Sequence, residues 1–155
     1  MTKYVDKDLK VNFKNSIPIC YSYSRNRKIG ILGGSFNPAH IGHIHITNTA
    51  LINLGLNEIW WLVAPQNRLK SSLDMENFDK RLSYARLLTK NISYIKVLDL
   101  EKKNQLYATY RTVNFLNQRT RKVKFIWLMG SDILDNLNKW PVSYTHLTLP
   151  TKRIV

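Results

Sequence analysis

Apolar runs alternate with segments of helical spacing four times, and this order limits the possible folds more than any other feature. The apolar runs, which are rich in β-branched and aromatic residues, are KIGIL, EIWWLVAP, YIKVLDL and VKFIWLMG. Apolar spacing predicts helices over residues 42–54, 78–90, 109–117 and 131–138. An alternation of strands and helices predicts an α/β fold with an open parallel sheet and right-handed crossovers.

The first two predicted helices carry recognisable internal and terminal signals. One stripe of the first helix contains Ile44, Thr47, Leu51 and Leu54. Gly55 follows directly and is a candidate C-cap, since glycine accepts the left-handed backbone that ends many helices. Asp79 is the candidate N-cap of the second helix.

The loops that follow the predicted strands indicate where a ligand would bind. In open parallel sheets, ligands bind outside the carboxyl ends of the strands. The loops after the first, second and fourth strands read GGSFNPAHIGH, APQNRLK and MGSD. We therefore expect all three to lie along the same edge of the sheet and to form one site.

The first of these loops combines glycines with histidines at the start of a helix. Gly33 and Gly34 allow a sharp turn and a close approach of a ligand to the main chain. His40 and His43 are three residues apart, so they should share one face of the first helical turn, with Gly42 keeping that face open. The positive end of the helix dipole favours an anion there, and two imidazoles can donate hydrogen bonds to phosphate oxygens.

Length, cysteine content and charge limit the class of protein. The chain has 155 residues, which suits one domain, and its single cysteine, Cys20, excludes an internal disulfide. No apolar run reaches the roughly 20 residues of a membrane-spanning helix, so we expect a soluble protein, and the single cysteine favours the reducing cytoplasm as its location. The net charge is +14, of which residues 28–142 carry +8. This excess is compatible with an anionic partner, either nucleic acid or a phosphorylated small molecule, and equally with charged faces in solvent.

The loop GGSFNPAHIGH resembles the G-G-[ST]-F-[DN]-P-x-H-x-G-H signature of the HxGH nucleotidyltransferase superfamily. Within that superfamily the chain is most similar to the bacterial nicotinate-nucleotide adenylyltransferases. The likeness continues in WLVAPQNRLK, in a Thr-x-x-Thr pattern at Thr109 and Thr112, and in WLMGSDILDNLNKW. It covers residues 28–141 and implies a Rossmann-like doubly wound parallel sheet of the nucleotidyltransferase type, incomplete at its C-terminus.

The resemblance also implies a role for each matching residue. It makes His40 and His43 catalytic, through contacts with the ATP phosphates that stabilise charge at the α-phosphorus. The residues that would bind ATP are Gly33, Gly34, Ser35, Phe36, His40, His43, Gly130 and Asp132. The residues that would bind the mononucleotide are Asn37, Thr109, Thr112 and Trp140, with Trp140 stacking on the nicotinate ring. Lys70 is added to them as our own candidate, because its charge could steer a phosphate or carboxylate. Arg68 is a further candidate for steering an anionic group, whereas His45 lies outside the motif spacing and is expected on the surface.

The reaction that the resemblance implies joins ATP and nicotinate mononucleotide to give nicotinic acid adenine dinucleotide and pyrophosphate, a step of NAD biosynthesis. A Mg²⁺ ion bound through the ATP phosphates is expected for this chemistry. Because phosphates and water would hold that ion, we expect no metal site built from protein side chains.

The chain divides into three parts by these criteria. Residues 1–27 are basic and lack a clear period, so we expect a loosely ordered extension. Residues 28–141 form the N-terminal portion of the nucleotidyltransferase domain. Residues 142–155, VSYTHLTLPTKRIV, have no family resemblance and look like a translated adapter sequence. We expect this tail to be an artefact of a truncated gene model, and the truncated chain to lack part of its ATP site.

Two other functions are compatible with parts of the sequence. Another HxGH transferase, such as pantetheine-phosphate adenylyltransferase or a cytidylyltransferase, would share the histidine loop but differ in its acceptor. A non-catalytic basic fragment that binds nucleic acid would account for the charge, although the basic residues are scattered and no nucleic-acid-binding motif is present. The expected partners therefore remain ATP and nicotinate mononucleotide, without nucleic acid and without a membrane.

Overall fold

The structure is a computed structural model that describes residues 27–65, 74–119 and 123–129. Within these ranges the chain forms four strands and four helices, with one helix after each of the first two strands and two helices between the third and the fourth. The strands are β1 (Arg27–Gly34), β2 (Glu58–Val63), β3 (Ile95–Leu98) and β4 (Val123–Leu128). The helices are α1 (Ile41–Leu54), α2 (Phe78–Thr89), α3 (Leu100–Lys103) and α4 (Thr109–Arg119). The helix predicted over residues 131–138 lies outside the described residues.

The four strands form one parallel sheet in the order β3-β2-β1-β4. β1 lies in the centre and pairs with both β2 and β4, so that Ile31 is opposite Trp60 on one side and Trp127 on the other. The predicted parallel α/β sheet is therefore confirmed. In the parts of the chain that the structure describes, no helix has the length and apolar composition needed to cross a bilayer.

Helices cover both faces of the sheet, because each strand buries alternate side chains on opposite sides. On one face, Leu32 and Trp61 pack with Ala50 of α1 and with Leu82 and Ala85 of α2. On the other face the core contains Ile29, Ile31, Trp60, Leu62, Leu100 of α3 and Leu116 of α4. This is the doubly wound arrangement that the sequence predicted.

The predicted signals of α1 are confirmed. The helix begins at Ile41, one residue earlier than expected, and its inward face includes the predicted Thr47 together with Ala50. Gly55 adopts the left-handed conformation with φ 58°. The amide of Leu56 then donates to the carbonyl of Leu51, which closes the last turn.

The predicted N-cap of α2 was wrong. Asn77, not Asp79, precedes the helix, and its side-chain oxygen accepts a hydrogen bond from the amide of Asp79 at 2.9 Å. Asparagine is at least as good a cap as aspartate. Capping at Asn77 lets the helix begin at Phe78, whose ring is buried in the core. Asp79 instead lies in the first turn, where its charge favours the helix dipole.

The third predicted strand was too long. It was expected to extend to Leu100, but β3 ends at Leu98, and the one-turn helix α3 begins at Leu100. This turn buries Leu100 completely against the second face of the sheet. The apolar pattern was correct, but a run this short does not distinguish a strand from a buried helical turn.

Candidate functional site

The strand order places a crevice at the carboxyl end of β1. The chain forms β1, β2 and β3 outward in one direction and then crosses back to add β4 on the other side of β1. In doubly wound sheets, ligands bind at the point where the strand order reverses. The loop of residues 35–40, between β1 and α1, begins at this point, so the fold and the histidine motif indicate the same site.

His40 and His43 lie side by side at the start of α1. His40 is the N-cap residue, in an extended conformation, and its Nδ1 accepts a hydrogen bond from the amide of Gly42 at 3.1 Å. The amide of His40 donates in turn to Nδ1 of His43, also at 3.1 Å. The two ring centroids are 4.0 Å apart. The predicted proximity of the two imidazoles is confirmed.

These hydrogen bonds determine which ring nitrogen carries the proton. Because Nδ1 of each ring accepts from a main-chain amide, the neutral form of each imidazole has its proton on Nε2. Burial lowers the pKa of His43, and the nearby His40 lowers it further, while a backbone hydrogen bond with His40 acts in the opposite direction. His43 is therefore neutral at pH 7 and offers an Nε2–H donor. Each ring can donate one hydrogen bond to an anionic oxygen without being protonated.

Gly42 is required by the position of the His40 ring. A Cβ atom at Gly42 would lie 2.8 Å from Cε1 and 2.9 Å from Nδ1 of His40. Such contacts are too short, so a larger residue would displace the ring and break the bond that holds it. The prediction that glycine keeps this face open is confirmed.

Two stacked aromatic side chains, Phe36 and Trp61, pack against the ring of His43. The ring of Phe36 is 1% exposed, lies 4.8 Å from the ring of His43, and stacks on Trp61 at 4.9 Å. The indole of Trp61 donates through Nε1 to the hydroxyl of Thr47 at 2.9 Å. The side chain of Phe36 thus belongs to the core, which leaves only its main chain to contact a ligand. The sequence analysis did not identify Trp61, although its inward position in β2 follows from strand alternation.

The other residues of the loop have structural partners as well. A Cβ at Gly33 would lie 2.9 Å from the ring of Trp127, so glycine is needed there for packing between β1 and β4. The carbonyl of Ser35 accepts from Arg81. The side chain of Asn37 donates to the carbonyl of Asp74 at 2.9 Å and accepts from the amide of Glu76 at 3.1 Å. The ligand-binding roles of these residues stay predictions.

The two threonines of α4 differ in their surroundings. Thr109 is half-buried at the first position of the helix. Thr112 is fully buried, and its hydroxyl donates to Oε1 of Glu101 at 2.9 Å. Burial raises the pKa of Glu101 to about 7, although the bond from Thr112 acts in the opposite direction. The predicted contact of both threonines with the mononucleotide stays a prediction, and Glu101 is a buried acid that the sequence analysis missed.

Several predicted site residues are not part of the described structure. Lys70, Gly130, Asp132 and Trp140 lie outside the described ranges, as does Arg68. His45 is exposed on α1, as expected for a residue outside the motif. The described part of the site is therefore the loop after β1, the first turn of α1 and the residues that support them.

This fold and this loop define a class, the α/β proteins of the nucleotidyltransferase type. The family profile described as cytidylyltransferase-like matches residues 31–154. The chain therefore belongs to the cytidylyltransferase-like family.

Curated relatives carry a more specific description. The chain is 46% identical over 113 residues to a probable nicotinate-nucleotide adenylyltransferase of Parvibaculum lavamentivorans, covering 73% of this chain and 56% of that protein. It is 42% identical over 113 residues to one of Gluconobacter oxydans, covering 73% and 57% respectively. The chain thus spans less than two thirds of the length of these relatives.

Solved structures share the fold at lower identity. Plasmodium falciparum nicotinic acid mononucleotide adenylyltransferase complexed with NaAD matches with a TM-score of 0.64 and 24% identity, over 75% of this chain and 58% of that one. The same enzyme complexed with APC matches with a TM-score of 0.62 and 23% identity, over 75% and 57%. At this identity the likeness establishes the fold.

Proposed function

We propose that the chain belongs to an enzyme that transfers the adenylyl group of ATP to nicotinate mononucleotide, giving nicotinic acid adenine dinucleotide and pyrophosphate. The observation that carries this proposal is the histidine pair. His40 and His43 each have Nδ1 engaged by a main-chain amide and Nε2–H available, at the start of α1 and at the switch point of the sheet. The names of the curated relatives support the choice of substrates.

The reaction needs charge stabilisation more than proton transfer. An oxygen of the mononucleotide phosphate attacks the α-phosphorus of ATP and forms a new P–O bond. The bond from the α-phosphorus to the bridging oxygen breaks, and pyrophosphate leaves with that electron pair. A phosphate monoester is already anionic near neutral pH, so no general base is required. The two Nε2–H groups and the helix dipole stabilise negative charge on the phosphates as it redistributes.

The proposal includes a Mg²⁺ ion held by the ATP phosphates. Neither imidazole offers a free Nδ1, and among the described residues no group of three or more His, Cys, Asp or Glu side chains could hold a metal. We propose phosphate oxygens and water as the ligands, since Mg²⁺ bound with a nucleotide keeps several waters and is held largely by phosphates. Bound in this way, the ion would neutralise phosphate charge and improve pyrophosphate as a leaving group. We also propose that the enzyme acts in the cytoplasm, as the lone Cys20 led us to expect.

The test is pyrophosphate release with ATP, Mg²⁺ and a panel of acceptors: nicotinate mononucleotide, nicotinamide mononucleotide and phosphopantetheine. The protein assayed is the chain extended by the native continuation of its reading frame after residue 141, because the chain alone spans less than two thirds of the length of its relatives. We expect turnover with the pyridine mononucleotides, the nicotinate form being preferred. His40→Ala and His43→Ala should each lower kcat/KM by about 10²–10³-fold, the usual loss for one preorganised donor. His45→Ala is the matched control, since this third histidine is exposed on the same helix, and it should keep wild-type activity.

Three results would contradict the proposal. The first is pyrophosphate release with phosphopantetheine alone, which would indicate a different acceptor. The second is an equal loss in all three histidine variants. The third is the absence of turnover with every acceptor while the chain remains folded by circular dichroism.

A further inference from the structure

We propose that Arg81 is a positioning residue, whose buried guanidinium fixes the loop after β1 relative to the segment after β2. These two segments leave neighbouring strands at the carboxyl edge of the sheet, where the candidate site lies. The ligand involved, a phosphorylated mononucleotide, rests on the proposed function. The structural part of the inference does not depend on it.

The contacts of Arg81 join three separate parts of the chain. The side chain is 1% exposed and extends from α2 into the space beneath the two loops. Nη1 donates to the carbonyls of Ser35 and of Ala64, the latter at 2.9 Å. Nη2 donates to the carbonyl of Pro65, and Nε donates to that of Glu76, both at 2.9 Å. One planar group thus binds four main-chain oxygens, of which Ser35 is 46 residues away.

Within the part of the chain that the structure describes, the charge of Arg81 has no carboxylate partner. None of the ion pairs in the described ranges includes this residue, and its hydrogen bonds all go to neutral carbonyls. Burial lowers the pKa of the guanidinium, as expected for a cation removed from water. The dipoles of these carbonyls therefore stabilise the buried charge. If the carbonyls moved away, the guanidinium would be buried without hydrogen-bond acceptors, which is unfavourable.

A role in core packing alone does not explain an arginine at this position. α2 already packs on the sheet through Phe78, Leu82 and Ala85. A methionine of similar length would fill much of the same volume without burying a charge, but it would offer no donor to the four carbonyls. The benefit that distinguishes arginine is its rigid fork of N–H donors, which can bind several carbonyls at once.

The hydrogen bond from Arg81 to the carbonyl of Ser35 also sets the direction of the N–H of Phe36, a main-chain donor near the histidines. The only cis peptide bond in the described ranges is Asn37–Pro38, so the bond between Ser35 and Phe36 is trans. In a trans peptide the carbonyl and the following N–H point in opposite directions. Because Arg81 holds the carbonyl of Ser35, the N–H of Phe36 is directed away from the guanidinium. Phe36 itself has φ 47°, a conformation that is uncommon for a bulky residue and needs support from its surroundings.

Arg81 also holds the segment after β2 through hydrogen bonds to its carbonyls. The amide of Ala64 donates to the carbonyl of Gly34 at 2.8 Å, which continues the pairing of the two strands by one residue. Beyond that bond, Arg81 holds both Ala64 and Pro65. A substrate that contacts both loops would therefore bind more weakly if the hydrogen bonds of Arg81 to these carbonyls were lost.

The experiment compares Arg81→Lys and Arg81→Met with Thr89→Val in the same extended chain. Lysine keeps the charge but lacks the planar fork, whereas methionine removes both. Thr89 is the matched control, because it is buried on the same helix and its hydroxyl bonds within that helix, to the carbonyl of Ala85. The first readout is hydrogen–deuterium exchange in peptides that cover residues 33–40 and 78–89. The second is the Michaelis constant for nicotinate mononucleotide measured separately from kcat.

Both Arg81 variants should increase amide exchange in residues 33–40 by at least tenfold, with little change in residues 78–89. Both should raise KM for the mononucleotide by at least tenfold and change kcat less. Thr89→Val should do neither. If Arg81→Lys matches the wild type, charge rather than the fork matters and the inference is wrong. Unchanged exchange in residues 33–40, or a KM change no larger than that of Thr89→Val, would also overturn it.

The two proposals can fail independently. Exchange requires no turnover, so a chain that releases no pyrophosphate would contradict the proposed function while the exchange data still test Arg81. Turnover by the wild type together with unaltered kinetics in Arg81→Lys would contradict only the positioning role. If Arg81→Met does not fold, Arg81→Lys alone decides, since it keeps the charge and most of the length of the side chain.

Discussion

The wild-type protein should lose stability between about pH 5 and pH 8 because Glu101 is buried, and replacing Glu101 by glutamine should remove this loss. Glu101 is 8% exposed, and its carboxylate accepts a hydrogen bond from Thr112 at 2.9 Å. Among the described residues it forms no ion pair. Burial raises its pKa from 4.5 to about 7, against the opposing effect of the bond from Thr112. An acid with a raised pKa is more easily ionised in the unfolded chain than in the folded one.

The sign and size of the effect follow from this difference. Below pH 4.5 the carboxyl group is neutral in both states and costs nothing. Between pH 4.5 and about 7 the unfolded chain releases this proton while the folded protein keeps it, so the contribution of Glu101 to stability falls until both states are ionised. The change in pKa from 4.5 to about 7 corresponds to about 3 kcal/mol, at about 1.4 kcal/mol for each tenfold change in ionisation constant. Glutamine is neutral at every pH and can still accept from Thr112.

Urea unfolding of the wild type and of Glu101→Gln, measured from pH 5 to pH 8.5, tests this reasoning. We expect a difference of about 1 kcal/mol or less at pH 5 and a variant more stable by about 3 kcal/mol at pH 8.5. Taking the difference cancels the opposite contribution of His43, which both proteins contain. The matched control is Glu58→Gln, since Glu58 is also buried but binds Arg27 and Trp60. In Glu58→Gln the free energy of unfolding should still fall with pH as it does in the wild type, because Glu101 is intact. A difference curve for Glu101→Gln that stays flat would refute the argument.

Three further substitutions test the local geometry through urea unfolding midpoints. Gly55→Ala should cost about 1 kcal/mol, because a side chain is strained at φ 58° even in open space; no loss would contradict this. Gly33→Ala should cost about 1–3 kcal/mol, because its Cβ would overlap the ring of Trp127, and a neutral result would show that the ring can move. Thr47→Val should cost about 1–3 kcal/mol by leaving the indole N–H of Trp61 without its acceptor, and an unchanged midpoint would count against that bond.

The fold was largely predictable because its signals are local and repeated. Each strand is a short apolar run, and the order of strands and helices determines the parallel sheet. The errors arose at element ends, where two acceptable solutions compete. Asn77 and Asp79 can each cap a helix, and the burial of Phe78 decides between them. Leu100 fits a strand or a helical turn equally well from its neighbours alone, and tertiary packing selects the turn.

The parts of the site whose residues are close in sequence could be predicted. The contacts between residues far apart in sequence could not. His40 and His43 share a helical turn, so their spacing alone predicted the contact between their rings. Arg81 contacts Ser35 and Ala64 from 46 and 17 residues away. In the sequence it looks like one more basic residue in a basic chain. No spacing rule links a residue to carbonyls that only the folded sheet brings together.

The charges around α1 give the proposed function a physical basis beyond the resemblance. Helices usually carry acidic residues in their first turn, because these neutralise the positive end of the dipole. α2 follows this rule with Asp79, but the first turn of α1 contains no acidic residue. The two histidines that begin α1 accept main-chain hydrogen bonds at Nδ1 and present Nε2 outward, and the cation of Arg81 is buried near the same loop with only main-chain carbonyls as its hydrogen-bond acceptors in the described ranges. An anion at this edge of the sheet would supply the negative charge that these groups lack. The phosphates of ATP and of a mononucleotide would supply this negative charge while they are bound. The charge would leave again with the products, as turnover requires.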